Sequence, residues 1–127
     1  MQDRFKLRFW DNLEKVMGEV ISIDIDGGIV DYKNDDIVSS TLIKNGNIIQ
    51  CTGLKDKNGK LIFEGDICIY DFEEIGKQKA VIYFNNTYAG FLVKPLRNFQ
   101  YTKLNNCEII GNIYETPELQ EGNNDKI

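Results

Sequence analysis

Residues 48–72 read IIQCTGLKDKNGKLIFEGDICIYDF, and this stretch decides the fold. Two runs with β character, 48–52 and 61–63, flank a polar loop whose tip is Asn58-Gly59. This dipeptide favours positive φ at both central positions of a tight turn. The segment therefore predicts a β-hairpin, around which the rest of the chain can be arranged.

A glycine between two acidic residues follows the predicted hairpin. Gly65 stands between Glu64 and Asp66, immediately before the alternating run 67–70. Glycine is the usual residue where the backbone must bend sharply into a new strand. We expect the two carboxylates to fix this bend rather than to form a catalytic pair.

Short alternating runs separated by turn residues recur along the chain. Roughly eight such strands, without long helical patterns between them, predict a mainly β protein of antiparallel strands. The expected architecture is a small closed or partly open barrel, either SH3-like or of two packed layers, with at most one or two short helical turns. Outside the central segment the runs are 4–10, 20–25, 29–32, 78–84, 88–94, 99–104 and 107–114.

Three local features are less regular. Residues 32–44 fit a capped helix or a strand, and their β-branched side chains favour strand or irregular structure. Gly111 lies inside a strand pattern and predicts a bulge or a close backbone approach. Thr116, Pro117 and Glu118 have the order of a helix start and predict one helical turn.

The length and composition fit one folded unit. The chain has 127 residues, of which 42% are hydrophobic, and its net charge is −5. We expect a single β domain over residues 1–121 and a flexible polar tail over 122–127. No long apolar run and no secretory signal pattern occur, which predicts an intracellular location without membrane association.

The residue types restrict the available chemistry. There is no histidine, which removes the usual triads and imidazole metal sites. Cys51, Cys68 and Cys107 are far apart and lie in apolar runs, so we expect buried thiols rather than a zinc site. The run 24–28 lacks the ligand spacing of a calcium loop. We predict no catalytic residues, no metal, no cofactor and no enzymatic activity.

Lysines and aromatic residues are the candidates for partner binding. The hairpin loop carries lysines that could contact an acidic partner or simply keep the loop hydrated. Aromatic side chains opposite the aliphatic faces would suit a stacking surface or a subunit contact, although at least half should be core residues. The candidates are Trp10, Lys55, Lys57, Lys60, Tyr70, Tyr83 and Tyr88.

Four blocks of the sequence form a pattern, namely LRFWD at 7–11, QCTGLKDKNGK at 50–60, IFEGDI at 62–67 and NCEIIGNIYETPEL at 106–119. Together these blocks resemble the YopX family of phage and prophage proteins. The resemblance implies a phage-encoded accessory protein with a β-rich fold that self-associates in the cytoplasm of the bacterial host. The family offers no established activity, cofactor or catalytic residue to transfer to this chain.

The leading hypothesis is a non-enzymatic module that binds a host or phage macromolecule, with a protein partner and a homo-oligomeric state expected. One alternative is a barrel that binds single-stranded nucleic acid, in which aromatic residues stack on bases and lysines, including Lys77 and Lys79, contact phosphates. The negative net charge argues against it. Another alternative is an acidic decoy whose carboxylates imitate phosphates.

Overall fold

The computed structural model describes residues 2–72, 76–95, 102–103 and 107–120. It confirms the mainly β class, because its helical elements are three short 3₁₀ turns at Gln2–Phe5, Ile43–Asn45 and Pro117–Gln120. The strands are β1 (Leu7–Asp11), β2 (Val16–Asp24), β3 (Ile29–Asn34), β4 (Ile37–Leu42), β5 (Gly46–Lys55), β6 (Leu61–Phe63), β7 (Asp66–Phe72), β8 (Gly76–Asn85), β9 (Gly90–Pro95), β10 (Thr102–Lys103) and β11 (Cys107–Asn112).

The described strands form two antiparallel sheets. One has the order β4-β3-β2-β1-β5-β6, and the other has the order β10-β9-β8-β7-β11. The sheets are not closed into a barrel, so the closed form considered from the sequence is not adopted. The predicted central hairpin is present as β5 and β6, with Cys51 opposite Phe63. Gly59 has a φ of 83°, whereas Asn58 does not adopt the positive φ that the sequence predicted.

Strand β1 is covered on both faces. Phe9 packs with Val30 and Tyr32, whereas its neighbour Trp10 packs into a different cluster with Ile49. Adjacent residues of a strand point to opposite faces, so the two clusters lie on either side of β1. The strand begins at Leu7, later than the predicted run 4–10, and Phe5 lies in the preceding turn and is 75% exposed.

The β2–β3 hairpin departs from strict alternation. The register of β2 against β3 shifts between Val20 and Ser22. Val20 and Ile23 therefore both pack toward the Phe9 cluster, although a regular strand would place them on opposite faces. The alternating run 20–25 does not place its isoleucines on one buried face, since Ile21 and Ile25 are exposed.

The ambiguous segment 32–44 contains no α-helix. It contains the end of β3, the whole of β4 and a 3₁₀ turn, which confirms the preference for strand. Asp35 has a φ of 55° in the tight turn that joins the two strands. A short acidic residue tolerates this left-handed conformation better than a bulky one.

The two sheets meet at the β5–β6 end of the larger sheet. Ile62 of β6 packs into the core of the five-stranded sheet, together with Tyr70, Ile82 and Cys107. All three cysteines are buried free thiols, as predicted. The Cys107 side-chain hydrogen bond and burial raise the pKa of the Cys68 thiol.

Smaller expectations are also confirmed within the described residues. The register of β11 against β7 shifts between Ile109 and Gly111, which is the predicted irregularity. The turn predicted from Thr116 onward is the 3₁₀ turn Pro117–Gln120. Residues 73–75, most of the run 99–104 and the tail 122–127 lie outside the described residues. Among the described residues, no helix has the length and apolar character needed to cross a bilayer.

Candidate functional site, a mixed-charge cleft beside the central hairpin

A surface cleft of about 960 Å³ lies between the six-stranded sheet and β11. One wall comes from β1, β2 and the end of β3, and the other comes from the β5–β6 hairpin and β11. Arg8, Lys60 and Asn112 line it together, although they are far apart in the sequence. The cleft is therefore a product of the tertiary fold.

Asp56 holds the hairpin wall in place. Its Oδ1 accepts hydrogen bonds from the backbone N–H groups of Asn58 and Lys60, both at 2.9 Å. Its Oδ2 accepts a hydrogen bond from the N–H of Ile109 in β11 at 3.0 Å. Burial raises the pKa of Asp56, but these N–H groups more than offset burial and leave the pKa below its ordinary value. The ionised carboxylate thus ties the hairpin loop to the second sheet.

Gly65 forms the bend that the sequence predicts. It has a φ of 88°, which favours glycine. Its N–H donates to the carbonyl of Ile82 at 2.8 Å, and its carbonyl accepts from the N–H of Ile113 at 2.9 Å. Because both partners belong to other parts of the chain, the bend is a fixed point between β6 and β7.

Asp66 follows the bend and lies at the floor of the cleft. It is 2% exposed, and its Oδ2 accepts a hydrogen bond from the N–H of Phe63 at 2.8 Å. Burial raises the pKa of this carboxyl to about 6, while the Phe63 N–H and the charges of Arg8 and Lys60 act in the opposite direction. Asp66 therefore fixes the bend, as expected for one of the two carboxylates that flank Gly65, and its burial favours the protonated form.

Opposite charges alternate across the sheet wall. Arg8 of β1 lies opposite Glu19 of β2, and Glu19 lies opposite Lys33 of β3. The Arg8 guanidinium carbon is 3.7 Å from the centroid of the Phe63 ring, which adds a cation–π contact. This row presents both signs of charge on a rigid surface.

The remainder of the cleft is also mixed in charge. The Asp3 and Lys6 side chains form an ion pair at 3.6 Å at one margin. The further charged residues that line the cleft are Asp35, Lys55, Lys60, Asp66 and Glu115. The cleft can consequently hold a ligand with both positive and negative groups, rather than one sign alone.

The sequence-predicted binding residues do not form one site. Lys55 and Lys60 line the cleft, whereas Lys57 pairs with Glu108 at 3.6 Å. Trp10 and Tyr70 are 8% and 5% exposed and belong to the core, which agrees with the expectation that at least half of the aromatic candidates would be buried. Of the two remaining tyrosines, Tyr83 is half-buried and Tyr88 is exposed.

Sequence reasoning did not identify Arg8, Glu19 or Lys33 as site residues. Arg8 stands on the polar face of the alternating run 4–10, and this pattern alone indicates only an exposed strand face. The row becomes visible when β1, β2 and β3 are aligned in register. Strand register is a tertiary property that a single sequence does not display.

Within the described ranges, no group of three or more Cys, Asp and Glu side chains is placed to hold a metal ion. The two buried carboxylates beside the cleft, Asp56 and Asp66, accept hydrogen bonds from backbone N–H groups. The cleft lining combines charged and polar groups with apolar side chains such as Leu7 and Phe63.

Fold and cleft together define a class, namely small two-sheet antiparallel β proteins with a polar surface cleft. The YopX protein family model matches residues 6–121. This chain belongs to the YopX family.

Two solved structures share the fold. The protein EF1440 from Enterococcus faecalis is 28% identical with a TM-score of 0.66, and the match covers 91% of this chain and 97% of that chain. The protein yopX from Bacillus subtilis is 20% identical with a TM-score of 0.62, and the match covers 93% and 99% respectively. A search of curated proteins gave no significant match.

Proposed function

We propose that this protein is a phage- or prophage-encoded accessory protein that acts without catalysis, by binding a protein of the host or the phage in its mixed-charge cleft. We place this activity in the bacterial cytoplasm and expect the protein to self-associate. The observation that carries the proposal is the cleft between the six-stranded sheet and β11.

The charge pattern of the cleft favours a polypeptide as ligand. The row of Arg8, Glu19 and Lys33 alternates in sign, and Lys60 faces it from the hairpin. A polypeptide segment can present both signs of charge and both types of hydrogen-bonding group along its length. A nucleic-acid backbone presents only negative charge, so Glu19 of the row and the other carboxylates that line the cleft would oppose it.

The backbone contacts of the carboxylates support binding rather than catalysis. Asp56 uses both of its oxygens to accept from backbone N–H groups, and Asp66 accepts from the N–H of Phe63 and is 2% exposed, out of reach of a ligand. A general base instead needs a free lone pair within reach of a substrate proton. Rigid walls of this kind reduce the entropy lost when a partner docks.

The nucleic-acid alternatives have weaker support. Trp10 and Tyr70 are buried and cannot stack on bases. An acidic decoy would need a continuous surface of carboxylates, whereas lysines interrupt those of the cleft.

Charge reversal at the cleft tests the proposal. The variant Lys55→Glu/Lys60→Glu changes two lining residues, and Lys77→Glu/Lys79→Glu makes the same change in net charge on β8, away from the cleft. Each tagged protein is used to capture partners from infected host lysate, with half of each sample treated with nuclease. Eluates are analysed for protein and nucleic acid.

We expect a protein captured by the wild type and by the β8 variant, resistant to nuclease and lost from the cleft variant. Capture that disappears with nuclease in the wild type would instead support nucleic-acid binding. Equal capture by all three proteins would rule out the cleft as the binding surface.

A further inference from the structure

The outer strand of the six-stranded sheet has an unpaired edge. Within the described part of the chain, β4 pairs with β3 on one side only. Its sequence is IVSSTL, which contains no charged residue and no proline. Ile37 and Val38 are 68% and 58% exposed, and Leu42 is 40% exposed. Natural sheets usually protect such an edge with charges, proline or a covering segment.

The register of the β3–β4 hairpin identifies which backbone groups are free. The N–H of Ile43 donates to the carbonyl of Gly28 at 2.8 Å, so these two residues form a hydrogen-bonded pair. Hydrogen-bonded and non-hydrogen-bonded pairs alternate along an antiparallel ladder. Leu42, Ser40 and Val38 therefore direct their N–H and C=O groups away from β3, toward solvent.

We propose that this edge binds the same edge of a second copy of the chain, in antiparallel orientation around a twofold axis at Ser40. In this register the outward groups of Val38, Ser40 and Leu42 pair with those of Leu42, Ser40 and Val38 of the second copy. The ladder continues without a gap, and the six-stranded sheets of the two copies become one sheet.

The side chains of β4 also fit the register with its twofold axis at Ser40. Val38 and Leu42 lie on one face of β4, since residues two apart in a strand share a face. Each Val38 meets Leu42 of the second copy, and Ser40 meets Ser40 at the axis. The pairing covers the exposed apolar side chains and brings small hydroxyl groups together at the centre.

Charge complementarity selects a second copy rather than an unrelated strand. Asp36 directly precedes β4, and Lys44 lies in the 3₁₀ turn that follows the strand; both are exposed. The twofold axis at Ser40 brings the end of β4 that carries Asp36 beside the end of the other copy that carries Lys44, where the long lysine side chain can reach the carboxylate. A register shifted by two residues loses this match and the Val38–Leu42 pairs, so one alignment satisfies the backbone, the apolar side chains and the charges.

This inference deepens the self-association expected under the proposed function, but it does not use the cleft. A monomeric protein would remove the expected self-association but leave the binding role of the cleft intact, because the two sets of variants lie on different surfaces.

The decisive variant is Ser40→Lys. It places two like charges directly opposite each other at the axis, and lysine is a residue that natural edge strands use against pairing. Ser40 Oγ donates to Asp31 Oδ1, so a lysine at this position can pair with the same carboxylate and preserve the fold. Ser22→Lys is the matched control, since Ser22 Oγ donates to the other oxygen of Asp31 at 3.0 Å from the interior strand β2.

Sedimentation velocity of the full chain over a range of concentrations measures the association. We expect a concentration-dependent dimer for the wild type and for Ser22→Lys, and a dissociation constant weakened about tenfold or more for Ser40→Lys. A monomeric wild type at every concentration, or equal association of Ser40→Lys and the wild type, would overturn the proposal.

A charge exchange tests the register. Asp36→Lys and Lys44→Asp should each weaken the dimer by about two- to fivefold, as expected for exposed pairs that occur twice. The double variant Asp36→Lys/Lys44→Asp should restore wild-type association. Association that the single variants leave unchanged, or that the double variant fails to restore, would refute this alignment.

Discussion

The two edge strands of the six-stranded sheet differ in whether they are covered or exposed. At the β6 end, Ile62 and Phe63 are 1% and 4% exposed, and the hairpin is tied to the second sheet through Asp56. At the β4 end, Ile37 and Val38 are 68% and 58% exposed, and no described element covers them. The sheet thus has a closed end at β6 and an open end at β4.

The difference indicates where stability and interaction are concentrated. Buried apolar contacts and buried hydrogen bonds resist local opening, whereas an exposed edge with few contacts does not. Substitutions at the closed end should therefore reduce the free energy of unfolding. Substitutions at the open end should alter association and leave folding nearly unchanged.

The largest effect is expected at Asp56. Asp56→Ala leaves the N–H groups of Asn58, Lys60 and Ile109 without their carboxylate acceptor. We expect the free energy of unfolding to fall by roughly 3 kcal/mol, because hydrogen bonds to a buried charged acceptor are lost. Urea denaturation measures it, with Asp26→Ala as a control at an exposed turn position. A loss below about 1 kcal/mol would show that the hairpin does not depend on this carboxylate.

The pKa of Asp66 predicts that the free energy of unfolding changes with pH by an amount similar to the loss expected for Asp56→Ala. Its folded pKa of about 6 is above the ordinary value of 3.8, so the folded state binds more protons than the unfolded state between these values. The stabilisation that comes from proton binding at Asp66 is complete below pH 3.8 and is lost as the pH rises through 6. The full change amounts to about 3 kcal/mol at most.

Asp66→Asn provides the control for this pH dependence. The amide cannot ionise, so the variant should lose the decline in stability between pH 4 and 7 that the wild type shows in urea titrations. Asp56 and Asp11 have lowered pKa values, and their contribution is lost only as the pH falls below 3.8. A wild-type curve that is flat between pH 4 and 7 would contradict the assignment to Asp66.

A smaller effect is expected at the bend between β6 and β7. Gly65→Ala forces an alanine to a φ of 88° and places its Cβ 3.1 Å from Cε2 of Tyr114. Gly59→Ala has a similar φ of 83° but no neighbour within 4 Å of the added carbon. We expect losses of about 2 kcal/mol at Gly65 and about 1 kcal/mol at Gly59 in thermal or urea unfolding. Equal losses would mean that Tyr114 moves aside without cost.

Much of the closed end could be predicted from the sequence. Asn58-Gly59 indicated the hairpin, Gly65 indicated the bend, and Gly111 indicated the irregularity in β11. These signals are local, because a turn or a positive φ restricts the residue at that position itself. The family resemblance seen in the sequence agrees with the family model that matches residues 6–121, but the resemblance identifies no site residues.

The cleft and the open edge could not be predicted in this way. The row of Arg8, Glu19 and Lys33 depends on strand register, and the burial of Trp10 depends on which layer covers β1. The exposure of β4 depends on its position at the end of the strand order. Its β-branched residues predicted a strand but gave no information about what lies beside it.

The smallest effect is expected when the same substitution is made at the β6 end and at the β4 end of the sheet. Ile62→Val and Ile37→Val each remove one methylene group, from a side chain that is 1% exposed and from one that is 68% exposed. Ile62→Val should cost about 1 kcal/mol in urea denaturation, because it leaves a gap in the core shared by both sheets. Ile37→Val should stay within about 0.5 kcal/mol of the wild type at concentrations where the protein is monomeric, as surface substitutions usually do. Equal costs at the two positions would mean that Ile37 is covered in solution, which a second copy paired at β4 would explain. Both substitutions are then repeated in the Ser40→Lys variant. If the loss of stability caused by Ile37→Val comes from the dimer, it should disappear there.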